Sequence, residues 1–249
     1  MKQITASLFK LNIMIALLLV SCGSSENLVS CSSSSIDIGF NSCLTFENEN
    51  AFSEHITTIE NVIRESLVLV NTKFNIEDLR IKVRANSLNA IQEIGIGGFN
   101  PNENEIIISI DPDFPNLSTS ITLELGPLMA HEMHHAKRRR VIGYGSTLLG
   151  AVVSEGIADC FSMEVYAIDP PIWSTVFTEK ELEEWIETAS NDWDNTNYNH
   201  AKWFHGTTTE IPRWAGYSIG FKLIKTYLIA HPEQKASLLV AEPAGSFID

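Results

Sequence analysis

The chain has 249 residues, with 31 Asp or Glu against 17 Lys or Arg and a formal net charge of −14. That balance argues against nucleic acid as a partner and against electrostatic binding to anionic lipid. No internal repeat is visible, and the roughly 200 residues from Ala51 to Asp249 suffice for one single-core domain.

At the N-terminus, Lys2 and Lys10 precede an apolar run from Leu11 to Val20, the layout of a secretory signal. The run is too short to span a bilayer comfortably. It ends Leu19-Val20-Ser21-Cys22, which resembles the bacterial lipobox, whose cysteine is lipidated and becomes the first residue of the mature protein. Residues 1–21 are therefore expected to be a lipoprotein signal peptide. Acyl chains on Cys22 would hold the exported protein in the bacterial cell envelope. Gly23, not Asp, follows the cysteine; no inner-membrane retention signal is evident, and the outer membrane is the expected anchor. The segment 22–50 is rich in Ser and Asn and is predicted to be a tether between lipid and domain. Within it, Cys31 and Cys43 can form a disulfide in an oxidising compartment. Cys160 sits in an apolar segment and is expected to be a buried thiol, not a nucleophile.

The domain is expected to occupy 51–249. Phe52, Ile56, Ile59, Ile63 and Leu67 recur at helical spacing, which predicts an amphipathic helix over 51–70. Residues 79–84 alternate apolar and basic side chains, as a half-buried strand does. A hairpin is predicted over 95–110, turning at Asn100-Pro101-Asn102-Glu103-Asn104 and returning through the strong strand 105–110. Ser118 or Ser120 can cap the next helix, which Gly126-Pro127 either kinks or restarts before it runs on to Arg140. Arg138, Arg139 and Arg140 fall in its last turn, where the helix dipole favours positive charge. A mostly apolar helix over 148–166 follows the turn Gly143-Tyr144-Gly145. Further helices are predicted at 178–190 and 214–231.

The helix ending at Arg140 carries His131-Glu132-Met133-His134-His135. In an HExxH helix the outer histidines stand one turn apart on one face and can share a zinc ion, with the Glu beside the metal as a base. His131, Glu132, His135, Leu125 and Leu128 fall on that face, and His134 points nearly opposite. Glu155, in the next apolar helix, is a plausible third ligand, because an unpaired carboxylate there would be expensive. A His2Glu set leaves the fourth position for water. Asp159 lies one turn beyond Glu155 and can hold the second nitrogen of a ligand histidine.

HExxH followed by a Glu at this distance resembles the gluzincin class of metallopeptidases. More narrowly, the chain resembles a bacterial family described as predicted zinc-dependent proteases, once catalogued as a domain of unknown function. The matching segments are 95–98, 110–112, 130–135, 143–145, 154–158, 200–204 and 212–217, in order through nearly the whole domain. The resemblance implies an α+β, zincin-like fold. A small mixed sheet would pack an active-site edge strand on the zinc helix, followed by a mostly helical C-terminal half. It also implies that strand 105–110 pairs with an extended peptide substrate.

The mechanism these residues permit is metal-assisted peptide hydrolysis with Zn²⁺ on His131, His135 and Glu155 and with Glu132 as general base. An oxyanion needs a donor from outside the motif. Tyr217 is preferred, then His200, both in segments matching the family; Tyr144 and Arg139 are further candidates. His55, His134, His205 and His231 are expected to be structural or solvated. The competing function is a non-catalytic surface lipoprotein that retains a peptidase fold; the presence of Glu132 with all three ligands speaks against it.

Overall fold

The computed structural model describes residues 31–248. The expected signal peptide and Cys22 lie outside the described residues. Among the described residues, no helix is long and apolar enough to cross a membrane.

The molecule is α+β. Five strands form one mixed sheet: β1 (Ile36–Asp37), β2 (Cys43–Glu47), β3 (Arg80–Ala85), β4 (Ile96–Asn102) and β5 (Glu105–Ile110), in the order β1-β2-β3-β5-β4. β2, β3 and β5 run parallel, and β1 and β4 close the two edges antiparallel. The helix α1 (Ile56–Asn71) connects the parallel pair β2 and β3 and buries Ile59, Ile63, Leu67 and Val70. Each of those side chains contributes about 1.5–3 kcal/mol relative to exposure.

Two features of the sheet depart from expectation. Part of the predicted tether is folded, because β1 and β2 lie within it and Ile38, Cys43 and Leu44 are buried. Its strands are short and flanked by polar residues, so periodicity does not reveal them; their stability comes from distant pairing with β3. The Cys31–Cys43 disulfide is present and ties this segment to β2. The second correction concerns the strand expected to meet substrate. β5 lies inside the sheet, between β3 and β4, and the edge strand is β4. The near-continuous isoleucine run in β5 is what a strand buried on both faces needs.

Among the described residues six helices make up the second half, five of them on stretches predicted to be helical. The long helical stretch breaks at Glu124 into α2 (Leu117–Leu123) and α3 (Leu125–Val141), so that Pro127 sits in the first turn of α3. Neither Ser118 nor Ser120 caps: α2 starts after Asn116, with no side-chain cap bond. α4 (Leu148–Tyr166) is buried from Leu148 to Ser162, with Thr147 capping its start by accepting from Gly150 N. An all-round apolar helix of this kind belongs at a domain centre. α5 (Glu179–Ser190) opens with a capping box of Thr178 and Glu181. α6 (His200–Phe204) is short, and α7 (Ala215–Ala230) crosses α4. A side chain at Gly156 or Gly220 would strike the backbone of the other helix. Their lack of Cβ sets how closely α7 presses on α4, and hence where Glu155 stands.

The three arginines at the end of α3 each bind distant chain. Arg138 is buried and donates to Ser154 Oγ and to the carbonyls of Leu239, Val240 and Glu242. Burial pushes its pKa down to about 10, so it stays cationic at neutral pH. Arg139 bonds Asn100, and Arg140 bonds the Glu103 carbonyl.

Candidate metal centre

His131 and His135 stand one turn apart on α3, Glu155 and Asp159 one turn apart on α4, and the packing of the two helices turns the pairs toward each other. His131 Nε2 lies 3.1 Å from Glu155 Oε2, and His135 Nε2 lies 3.3 Å from the same oxygen. The two Nε2 atoms are 2.9 Å apart. All four side chains are buried.

The outer atoms of this cluster are held unequally. His131 Nδ1 is 2.8 Å from Asp159 Oδ1, a close contact that stands off ideal hydrogen-bond geometry. Asp159 in turn accepts from Trp173 Nε1 at 3.0 Å and from Ser174 Oγ at 2.6 Å. Glu155 turns its other oxygen, Oε1, to the hydroxyl of Tyr144, which donates to it. His135 Nδ1 has no hydrogen-bond partner among the described residues. One imidazole is therefore oriented by its neighbours on both nitrogens, while the other is placed mainly by packing, with the Tyr144 ring 5.3 Å away.

These residues fit a metal ion. The Asp159 carboxylate favours the proton on His131 Nδ1, which leaves the Nε2 lone pair facing inward. Two imidazole nitrogens and a carboxylate oxygen then converge as acceptors, an arrangement that repels itself unless a cation sits between them. Tetrahedral zinc with bonds of about 2.0–2.1 Å spaces its ligand atoms about 3.3 Å apart; the observed separations are 2.9–3.3 Å. Burial alone would lower the His131 pKa, yet Asp159 and Glu155 outweigh it and hold it well above the usual range. Burial would raise Glu155, but His135 and His131 hold it well below.

A cavity of about 690 Å³ opens beside this cluster, lined by His131, Glu132, Gly98, Phe99 and Tyr217 among others. Burial raises the Glu132 pKa, with the two histidines offsetting only part of the effect. A carboxylate moved in that direction is a better proton acceptor. A Cβ on Gly98 would come within 2.5 Å of Glu132 Oε1, so β4 approaches the base as closely as it does only because position 98 is glycine.

The register shows which part of this edge is free. Asp111 N donates to Gly95 O, and Ile96 pairs with Ile110. Positions 95 and 97 thus face β5, and the backbone groups of Ile96 and Gly98 face outward. Ile91 N already takes the Ile96 carbonyl at 3.0 Å, and Arg139 takes that of Asn100 at 3.1 Å. Between them lies Gly98, whose outward N–H and C=O have no hydrogen-bond partner among the described residues.

Tyr217 reaches the cavity from α7. Burial first, and then the charges of Glu155, Asp159 and Glu132, hold its hydroxyl well above the usual tyrosine range, so it stays a proton donor. His200 does not line the cavity. It stacks on Phe204 at 4.3 Å and meets the Tyr198 hydroxyl at 3.2 Å. Its neighbour His205 is exposed and lines the cavity instead. Tyr144 and Arg139 are engaged with Glu155 and Asn100. His134 is buried against Phe74 and Phe161, and burial holds it well below the usual histidine range. Cys160 is buried, and burial raises its thiol pKa. Trp173 and Ser174, which steady Asp159, have no sequence signal beyond following the Pro170-Pro171 stop of α4.

The profile of the family described as "Predicted Zn-dependent protease (DUF2268)" matches residues 59–249. The chain belongs to this family. Within the curated proteins, the uncharacterized protein YjaZ of Bacillus subtilis (strain 168) is 28% identical over 154 residues, 58% of this chain and 54% of that protein. The chain thus spans about half the length of the curated relative it matches. No solved structure matches. The family match covers α3 and α4 whole, and β1 and β2 precede it.

Proposed function

We propose that the protein is a zinc-dependent peptidase of the cell envelope, held to the membrane through a lipidated Cys22. The observation that carries the enzymatic reading is the convergence of His131 Nε2, His135 Nε2 and Glu155 Oε2 beside Glu132, on the wall of an open cavity. Zn²⁺ held by those three side chains would supply Lewis acidity, polarising a substrate carbonyl and acidifying a water.

The remaining chemistry falls to the chain's own groups. Glu132 takes a proton from the attacking water on its carboxylate and passes it to the leaving amine, so the base gains and then loses one proton in each cycle. Gly98 offers one outward N–H and C=O pair on which an extended peptide can be seated at the cleft. Tyr217 donates its hydroxyl hydrogen to the developing oxyanion. Tyr144 and Asp159 are positioning residues: one orients Glu155, the other His131.

The test is metal analysis of purified protein together with casein cleavage by the wild type and by Glu132→Gln. We expect zinc in both proteins and cleavage only by the wild type, with the variant slower by about 10²–10⁴-fold. Zinc in both and cleavage in neither would favour a binding protein. Membrane fractionation of Cys22→Ser tests the anchor, with release from the membrane expected.

A further inference from the structure

A second cavity, of about 340 Å³, adjoins the first and shares Leu128, His131 and Trp173 with it. Its walls are largely apolar, built from Leu123, Pro127, Ile168 and Ile172. Apart from His131 at the shared boundary, the only charged side chains on it are two carboxylates, Glu124 and Asp169, and no Lys or Arg lines it. Asp169 is exposed, whereas Glu124 is partly buried.

Glu124 is the telling residue. It immediately precedes α3 in helical conformation, seven residues before His131. Seven residues are close to two full turns, so Glu124 and His131 share a face, about 10 Å apart along the axis. Desolvation is what moves its pKa, upward, with no cation or hydrogen-bond donor to offset it. An unpaired carboxylate in an apolar pocket has a cost that a cationic guest removes. The apolar walls suit the methylene stem of the same guest, which buries its stem and presents its charge.

We propose that this smaller cavity is the subsite for a lysine or arginine side chain on the substrate residue flanking the scissile bond, with Glu124 receiving the cationic head. The proposal rests on the peptidase reading, because it takes the shared His131 wall as the place where the scissile bond lies. A residue seated there has its backbone at the metal ligands and its side chain directed along α3 toward Glu124. The enzyme then prefers bonds next to basic residues, and Asp169 at the exposed side adds a second negative charge.

The test uses zinc-loaded Glu132→Gln protein, which binds peptide without turnover. The probes are a fluorescent Ala/Gly decapeptide with one arginine and a twin carrying citrulline, a neutral isostere. We expect the arginine peptide to bind about tenfold more tightly, equivalent to about 1.4 kcal/mol. Adding Glu124→Gln should reduce that ratio to below about twofold, and Glu124→Lys should invert it. Equal binding of the twins, a preference that survives Glu124→Gln, or binding of neither peptide overturns the subsite. Cleavage of the same twins by the wild type separates this from the underlying reading. Cleavage without preference keeps the peptidase and removes the subsite; arginine-selective binding without any cleavage removes the peptidase, and with it the assignment of the pocket to a residue beside a scissile bond.

Discussion

The floor of the cleft, made by α3 and α4, and its walls, made by β4 and the segments around Ile91 and Arg213, are held in place by different interactions. On the floor, buried charged groups contact one another across two central helices, and most of those contacts are duplicated: Asp159 has three partners and Glu155 has three. On the walls, the outward carbonyls of Ile96 and Asn100 are taken by Ile91 and Arg139, and Gly98 faces the cleft between them. An exposed ion pair, Arg213 to Glu93 at 2.8 Å, links the two flanking segments. Exposed pairs of that kind contribute about 0–1 kcal/mol. On the proposed peptidase reading, the floor would hold a reactive geometry whatever the substrate, while the more weakly tied walls would adapt to different peptides.

The contrast can be broken first at the floor. Asp159→Asn keeps the size of the side chain but removes the charge that fixes the His131 tautomer. Zinc affinity should fall by about 10–100-fold, measured by competition with a chelator of known affinity. An unchanged affinity would mean that packing alone orients His131.

A smaller effect is expected at the wall. Gly98→Ala places a methyl group against Glu132 and should slow peptide cleavage by about tenfold or more, since small displacements of a reacting group are costly. Zinc content should stay at the wild-type level. Loss of zinc alongside activity would show that floor and wall are coupled after all.

The smallest effect concerns stability at Glu124. Its folded pKa is raised above the ordinary 4.5 by desolvation. A raised carboxylate binds its proton more tightly when folded, so stability is lost as pH rises from the unfolded value through the folded one. Glu124→Gln lacks that loss. Its Tm should exceed that of the wild type at neutral pH by on the order of 1 °C, given the partial exposure, with the difference vanishing below about pH 4. A difference that does not change with pH would remove the desolvation argument.

Legibility in the sequence follows the same division. The floor rests on relations one helical turn long, so His131 with His135 and Glu155 with Asp159 could be paired on faces from spacing alone. Helices α4, α5 and α7 were equally plain, because their apolar patterns and breakers are local. The walls depend on what pairs across the sheet. The expectation of an edge at β5 overlooks its isoleucines at 106, 107, 108 and 110, which mark it as interior, and the exposed Phe99 after Gly97-Gly98, which marks β4 as the edge. β1 and β2 were hidden by Ser- and Asn-rich surroundings. The hydroxyl of Tyr144 on Glu155 and the Trp173–Ser174 pair on Asp159 depend on how turns return to the helices, which no short-range pattern encodes.

The central claim is that three side chains of the floor hold one zinc ion. Zinc K-edge absorption on the zinc-loaded protein tests it most directly, with Glu155→Ala as the comparison. The account predicts one zinc per chain in a four-coordinate shell of two imidazole nitrogens and two oxygens, with the Glu155→Ala protein losing most of its metal. A shell containing sulfur, a stoichiometry well below one, or full retention of zinc by Glu155→Ala would contradict it.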